Sequence, residues 1–161
     1  MIFLTVGTQF PFDRLVKAVD EAIGQGLIEE EVWAQTGQSL YQPRSIEKSV
    51  DFLEKNIFDQ WMKKASKIIS HAGIGSITMA MDETKPLLVM PRLQKYGEVV
   101  NDHQVDIIRM FEKYGYLLAA YDVKELPEKI EALKSFKPQK RNTQAQKVAE
   151  RVSKFLKKLA L

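Results

Sequence analysis

The 161-residue chain has no cysteine and only two histidines. Missing thiols exclude a disulfide framework and a cysteine metal site. Because H-E-x-x-H and D-x-D motifs are also missing, we expect no protein-bound metal and no metal cofactor. No apolar run approaches the ~20 residues that cross a bilayer. The start, MIFLTVGTQF, lacks the charged region and cleavage site of a signal peptide. A cytoplasmic protein is expected, with any membrane contact peripheral.

Glycine is also scarce, with 8 residues, and its spacing excludes two common nucleotide-binding motifs. The chain has neither the G-x-G-x-x-G fingerprint of dinucleotide-binding enzymes nor the G-K-[ST] of P-loops. A nicotinamide-dependent oxidoreductase is therefore disfavoured.

The positive charge is confined to one end of the chain. The net charge is +3, yet residues 134–161 hold nine Lys or Arg against one acidic residue, whereas residues 1–133 hold fifteen against twenty. A charge restricted to one terminal segment is not the footprint of a nucleic-acid-binding fold, so no nucleic-acid partner is expected.

Strand-like and helix-like segments alternate along the chain. Short β-branched and aromatic runs predict strands at residues 2–6, 31–35, 49–53, 67–71, 86–90 and 116–120. Amphipathic segments predict helices at residues 12–23, 57–65 with Asn56 as the N-cap, 76–83, 102–114 and 123–133. This alternation predicts one α/β domain over residues 1–136, with a doubly wound, mostly parallel, Rossmann-like sheet.

Residues 137–161 are predicted to form a basic linker and a C-terminal amphipathic helix. The apolar residues at helical spacing are Ala145, Val148, Ala149, Val152, Phe155, Leu156 and Leu159. Packing of this stripe on the domain is favoured, and docking on a partner or an anionic membrane surface is the alternative.

Two glycines stand where the fourth predicted strand meets the next helix. In a parallel sheet the helix N-terminus at this edge offers free N–H groups and a partial positive charge of about half an electron. Gly73 and Gly75 carry no Cβ that would keep a phosphate from those amides, and Ser76 offers a cap or a hydroxyl. A tight strand-to-helix turn without a ligand explains the same glycines.

Two further loops carry polar residues at the same predicted edge. Gly7, Thr8 and Gln9 follow the first strand and offer amides and a hydroxyl, although an ordinary turn uses the same residues. Arg92 and Glu98 follow the fifth strand, and Asn101, Asp102, His103 and Gln104 open the next helix. Such density suits a polyhydroxylated ligand, while simple helix capping explains only Asn101 or Asp102.

The segments VGTQFPFDRL, ISHAGIGSI, KPLLVMPR and GEVVNDHQ resemble, in this order, motifs of the glycosyltransferase family 28 C-terminal domain. The resemblance spans nearly the whole chain. It is closest to small subunits of bacterial exopolysaccharide and capsule synthesis, which are similar to the catalytic subunit of the two-subunit N-acetylglucosaminyltransferase that acts on dolichol-linked sugar.

The resemblance implies the donor-binding half of a GT-B fold. It implies a UDP-sugar donor, a lipid-linked saccharide acceptor, transfer with inversion and without metal, and a membrane-anchored partner that binds the acceptor at the inner face of the plasma membrane. A non-catalytic subunit that supports a partner enzyme is the alternative function.

By position, the resemblance also implies residue roles. The donor diphosphate would contact His71, Ala72, Gly73, Gly75, Ser76 and Arg92. The donor sugar or nucleoside would contact Glu98, Asn101, Asp102, His103 and Gln104, and Gly7, Thr8 and Gln9 would face the cleft between the halves. A general base must take the acceptor proton, and Asp102, His103 or the partner could supply it.

The chain departs from the family pattern at one position. The peptidoglycan enzyme of the family has a ribose-binding glutamate seven residues before the proline that matches Pro86, and here that residue is Met79. Glu83 and Glu98 are the expected substitutes.

Overall fold

Six strands form one sheet in the computed structural model, which describes residues 1–141. The strands are β1 (Ile2–Thr5), β2 (Val32–Gln35), β3 (Lys48–Val50), β4 (Lys67–Ser70), β5 (Leu87–Val89) and β6 (Leu118–Ala119). Their order is β3-β2-β1-β4-β5-β6, and every neighbouring pair is parallel. The predicted parallel α/β sheet is therefore confirmed.

Helices cover both faces of this sheet. They are α1 (Asp13–Gly24), α2 (Lys55–Lys64), α3 (Ile74–Asp82), α4 (His103–Lys113) and α5 (Leu126–Ser135). Buried residues of α1 and α5 share one core cluster with Leu4 and Ile69, whereas α2, α3 and α4 share the other with Phe3 and Ile68. Neighbouring strand residues thus point to opposite faces, as a doubly wound sheet requires.

Three predicted helix starts were wrong. The carbonyl of Glu54 already accepts the N–H of Phe58 at 2.9 Å, so α2 begins before Asn56, which is not the N-cap. Helix α3 begins two residues before Ser76, with Gly73 as its N-cap. Residues Val123–Glu125 form a 3-10 turn, and α5 begins only after it.

Helix α3 ends in a Schellman motif without the usual glycine. The N–H of Lys85 donates to the carbonyl of Ala80 at 2.8 Å, and that of Thr84 to Met81 at 3.1 Å. Thr84 adopts the left-handed conformation, with φ of 51°, at the position where glycine is favoured. A β-branched residue is strained there.

One buried carboxylate holds the segment after β2. Asp20 of α1 accepts the backbone N–H groups of Arg44, Ser45 and Ile46 at 2.7–3.1 Å, and the Tyr41 hydroxyl at 2.9 Å. Burial alone would raise the pKa of Asp20, but these hydrogen bonds outweigh it and lower the pKa. The loop leading to β3 is therefore fixed by a charged acceptor.

The last described residues contact the ends of two helices. The N–H of Gln139 donates to the carbonyl of Gly115 at 2.9 Å, and Arg141 pairs with Asp82 at 3.6 Å. The predicted C-terminal helix lies outside the described residues. Among residues 1–141, no helix has the length and apolar character to cross a membrane.

Candidate functional site

A cleft of about 590 Å³ lies at the carboxyl edge of the sheet. It opens where the strand order reverses, between β1 and its neighbour β4, which is where doubly wound folds bind ligands. The lining residues are Gly7, Thr8, Gln9, Phe10, His71, Gly73, Ile74, Gly75, Ser76, Arg92, Val99 and Gln104. All three loops predicted from the sequence thus contribute to one cleft.

The His71 imidazole is wedged between two glycines. A Cβ built on Gly73 would lie 2.3 Å from Nε2 of His71, and one on Gly7 would lie 2.8 Å from Cε1. Real Cβ atoms do not approach so closely. The missing side chain at Gly73 therefore makes room for this ring, a reason that the sequence alone did not suggest.

His71 is neutral at physiological pH. Burial, helped by the nearby Arg92 charge, lowers its pKa to about 4, although its hydrogen bond to the Thr5 carbonyl opposes the shift. The Nδ1 atom lies 3.3 Å from that carbonyl oxygen, which places the proton on Nδ1. Nε2 is then left with a lone pair beside the cleft.

Gly75 has a different environment from Gly73. Apart from its chain neighbours and the backbone of its own helix, no atom of residues 1–141 lies within 4 Å of a Cβ built on Gly75, and the residue lines the cleft in the first turn of α3. Its backbone can therefore be approached closely, as the sequence argument requires. Ser76 is buried in that turn and is not the cap, so only its hydroxyl role stays a prediction.

The first turn of α3 provides the expected amides. Gly73 has no side chain with which to cap them, and among the described residues no side chain caps the start of α3. The preceding Ala72 has φ of 66°, a left-handed conformation that costs about 1 kcal/mol for alanine. Strained backbone at a ligand-facing turn is a common feature of binding sites.

Arg92 is a buried cation between the loops. It is 5% exposed, and its Nη2 donates to the carbonyls of Val6 and Phe10, each at 2.6 Å. Burial lowers its pKa to about 10, partly offset by Glu98, so the guanidinium remains charged at neutral pH. Its Nε and the Oε1 of Gln104 are buried without a hydrogen-bond partner in the described structure. Both residues that carry these unpaired atoms line the cleft.

The cluster predicted to bind the sugar is divided by the structure. Gln104 lines the cleft, whereas Asp102 and His103 line a neighbouring pocket of about 600 Å³ with Lys95, Arg109 and Tyr121. Consecutive residues of a helical turn point about 100° apart, so they cannot all face one cleft. Asp102 accepts the N–H of Gln94 at 2.8 Å, and Asn101 accepts that of His103 at 3.3 Å.

Neither expected substitute for the ribose-binding glutamate reaches the cleft. Glu83 lies beyond the far end of α3, where it lines a separate pocket with Met79. Both oxygens of Glu98 are held by Arg14, at 2.8 and 2.9 Å. Arg14 belongs to the segment VGTQFPFDRL, and its pairing with Glu98 could not be predicted because the two residues are 84 positions apart.

No cluster of three or more His, Asp or Glu side chains suited to a metal occurs within residues 1–141. The cleft is lined by backbone amides, the buried guanidinium of Arg92 and the neutral imidazole of His71. These groups suit an anionic ligand carrying hydroxyl groups.

The sequence of this chain matches a known protein family over nearly its whole length. The model of the glycosyltransferase family 28 C-terminal domain matches residues 1–159. The chain is 28% identical over 124 residues to the UDP-N-acetylglucosamine transferase subunit ALG13 of Homo sapiens, covering 72% of this chain and 10% of that protein. It is 32% identical over 92 residues to the ALG13 subunit of Candida albicans, covering 57% and 29%. The chain spans less than a third of either relative.

Solved structures share the fold. The solution structure of ALG13 superposes with a TM-score of 0.60 at 20% identity, covering 94% of this chain and 93% of that one. MurG of Acinetobacter baumannii gives 0.57 at 19% identity, covering 83% and 40%. The glycosyltransferase SsfS6 of Streptomyces, complexed with thymidine diphosphate, gives 0.58 at 18% identity, covering 83% and 32%. The family match, which runs almost from end to end, shows that this chain belongs to the glycosyltransferase family 28 C-terminal domain family.

Proposed function

We propose that this chain is the donor-binding half of a glycosyltransferase that uses a UDP-sugar. The observation that carries the proposal is the cleft itself, where the first turn of α3, the buried Arg92 and Gln104 line one space. The curated relatives are named as UDP-N-acetylglucosamine transferase subunits, and a structural neighbour binds a nucleoside diphosphate.

The diphosphate is proposed to lie against the first turn of α3. Cleavage of the donor's C1–O bond leaves the electron pair on the diphosphate, where negative charge develops. Amides near Gly73 and Gly75, together with the guanidinium of Arg92, stabilise that charge without a metal ion. Neutral His71 adds no charge, and its ring fixes the conformation of the two flanking glycine loops.

The acceptor oxygen attacks C1 from the opposite face and forms the new bond, so the configuration inverts. Its proton passes to a general base. Asp102 and His103 border the neighbouring pocket rather than the cleft. We therefore propose that the acceptor-binding partner supplies the base.

The carboxyl edge of the sheet offers an apolar surface for such a partner. The loops after β1, β2, β3 and β5 and the first residue of α3 expose large apolar side chains at 45–82% exposure: Phe10, Leu40, Phe52, Ile74, Tyr96 and Val100. Exposed apolar groups gathered at one edge are typical of an interaction surface. We propose that a membrane-anchored subunit covers this edge and presents a polyprenyl-diphosphate-linked saccharide, in exopolysaccharide or capsule synthesis at the inner face of the plasma membrane.

Titration of the isotope-labelled full chain with UDP tests the donor site. We expect chemical-shift changes at Gly7, Gly73 and Gly75, and none at Gly26, which lies at the opposite edge of the sheet. The Gln104→Ala variant should bind UDP normally and bind its UDP-sugar more weakly. Absence of any UDP-dependent shift in the wild-type chain would refute the proposal. A heteromer that transfers sugar while no donor is bound in the cleft of this chain would favour the accessory-subunit alternative.

A further inference from the structure

A largely but not fully buried ion pair joins α1 to the loop between β5 and α4. Nε and Nη2 of Arg14 donate to the two carboxylate oxygens of Glu98 at 2.9 and 2.8 Å. The two side chains are 14% and 11% exposed. A bidentate pair with so little solvent contact is directional and far less screened than a surface salt bridge.

The same guanidinium contacts the loop at three further positions. Nη2 donates to the Pro91 carbonyl at 3.0 Å, and Nη1 lies 3.3 Å from the Met90 sulfur. The ring of Tyr96 lies 4.6 Å from Cζ of Arg14. Glu98 in turn accepts the N–H of Leu93 at 3.0 Å. One side chain from α1 therefore fixes most of the loop from 90 to 98.

This loop has little structure of its own. Between the end of β5 and the start of α4 it contains only one 3-10 turn, Gln94–Tyr96. It nevertheless places Val99 and Gln104 in the cleft. Ordering a loop costs roughly 1–2 kcal/mol per residue, so external contacts must hold it in one conformation.

We propose that Arg14, acting through Glu98, is a positioning residue that sets the 91–102 loop, and with it Gln104, for recognition of the sugar portion of the donor. This inference rests on the proposed function. Arg92 connects the same two regions in the opposite direction, through the Val6 and Phe10 carbonyls, but it belongs to the diphosphate side of the cleft. Loss of Arg14 should therefore affect the sugar more than the nucleotide.

The test compares two affinities in the full chain. UDP and a set of UDP-sugars (N-acetylglucosamine, glucose, galactose and glucuronate) are titrated by calorimetry. The UDP-sugar whose affinity most exceeds that of UDP is used, and the ratio of the two affinities is the gain. We expect Arg14→Gln and Arg14→Lys to reduce that gain roughly tenfold or more while UDP affinity stays within about twofold. The control is Lys17→Gln, which removes an exposed pair with Glu21 from the same helix.

Hydrogen exchange provides a second readout. Amides at 93–102 should exchange faster in Arg14→Gln, whereas those of β1 and β4 should be unchanged. Should Arg14→Gln not fold, Glu98→Gln and Arg14→Lys report the same ratio of affinities.

Several results would overturn the inference. Equal losses for UDP and the UDP-sugar would mean a purely structural role, and an unchanged ratio would mean no role in positioning. A wild-type chain that binds UDP but gains nothing from any attached sugar would also overturn it. A wild-type chain that does not bind UDP at all would instead refute the proposed function, and the two failures are thereby distinguishable.

Discussion

The two glycines at the start of α3, the N-cap Gly73 and Gly75 in the first turn, should respond in opposite ways to the same substitution. Gly73→Ala places a methyl group 2.3 Å from Nε2 of His71, so the ring or the loop must move. The Gly73 backbone, with φ of −67° and ψ of 133°, is acceptable for alanine, so the clash is the whole effect. Overpacking of this kind costs about 1–3 kcal/mol of unfolding free energy.

Gly75→Ala makes no clash, because the Cβ position is open. Alanine is favoured over glycine within a helix by about 0.5–1 kcal/mol, so the variant should be more stable than the wild type. Its methyl group points into the space assigned to the diphosphate. We expect UDP to bind at least about tenfold more weakly, which corresponds to about 1.4 kcal/mol.

Urea unfolding followed by fluorescence of Trp33 and Trp61 measures the stability of both variants, and calorimetry measures UDP binding. The His71 ring resonances report whether the imidazole has moved. Unchanged stability and unchanged His71 resonances in Gly73→Ala would refute the wedge argument. Full UDP affinity in Gly75→Ala would refute the close-approach argument.

Two further predictions concern pH and the end of α3. Burial lowers the pKa of His71 to about 4 in the folded chain, whereas in the unfolded chain it keeps its ordinary value of about 6.5. As the pH falls below about 6.5, His71 is therefore protonated in the unfolded chain before it is protonated in the folded one. The unfolding free energy of the wild type should therefore decrease between pH 6.5 and pH 4 by up to about 3 kcal/mol more than that of His71→Gln. Urea titrations that give the two proteins the same pH profile would contradict this. Thr84→Gly should raise the unfolding free energy by about 1 kcal/mol, because Thr84 is exposed and adopts a left-handed conformation that glycine adopts without strain. A thermal unfolding midpoint lower than that of the wild type would count against the strain.

The alternation of strands and helices could be predicted because each has its own periodicity. The strand-like segments, such as KIISH and PLLVM, are short and contain runs of aliphatic residues, and the segments between them are amphipathic over several turns. The edge that carries the site followed from the parallel sheet, since all loops after its strands meet there. Boundaries were less accurate, because a helix start depends on carbonyls such as that of Glu54 rather than on side chains.

The details of the site depend on contacts that the sequence does not reveal. Arg14 and Glu98 are 84 positions apart, and no local pattern joins them. The wedge of His71 between Gly7 and Gly73 also requires two loops to meet. Asp102, His103 and Gln104 are adjacent in sequence but line two different pockets, because a helical turn distributes neighbouring side chains around its axis.

Two arginines that reach in opposite directions connect the loop after β5 to the β1–α1 region: Arg92 reaches the loop after β1, and Arg14 reaches out from α1. Residues on these loops should therefore show epistasis, so that a substitution in one is tolerated or harmful according to the residues in the other. Chimeras that exchange donor specificity between family members would need to transplant both loops together.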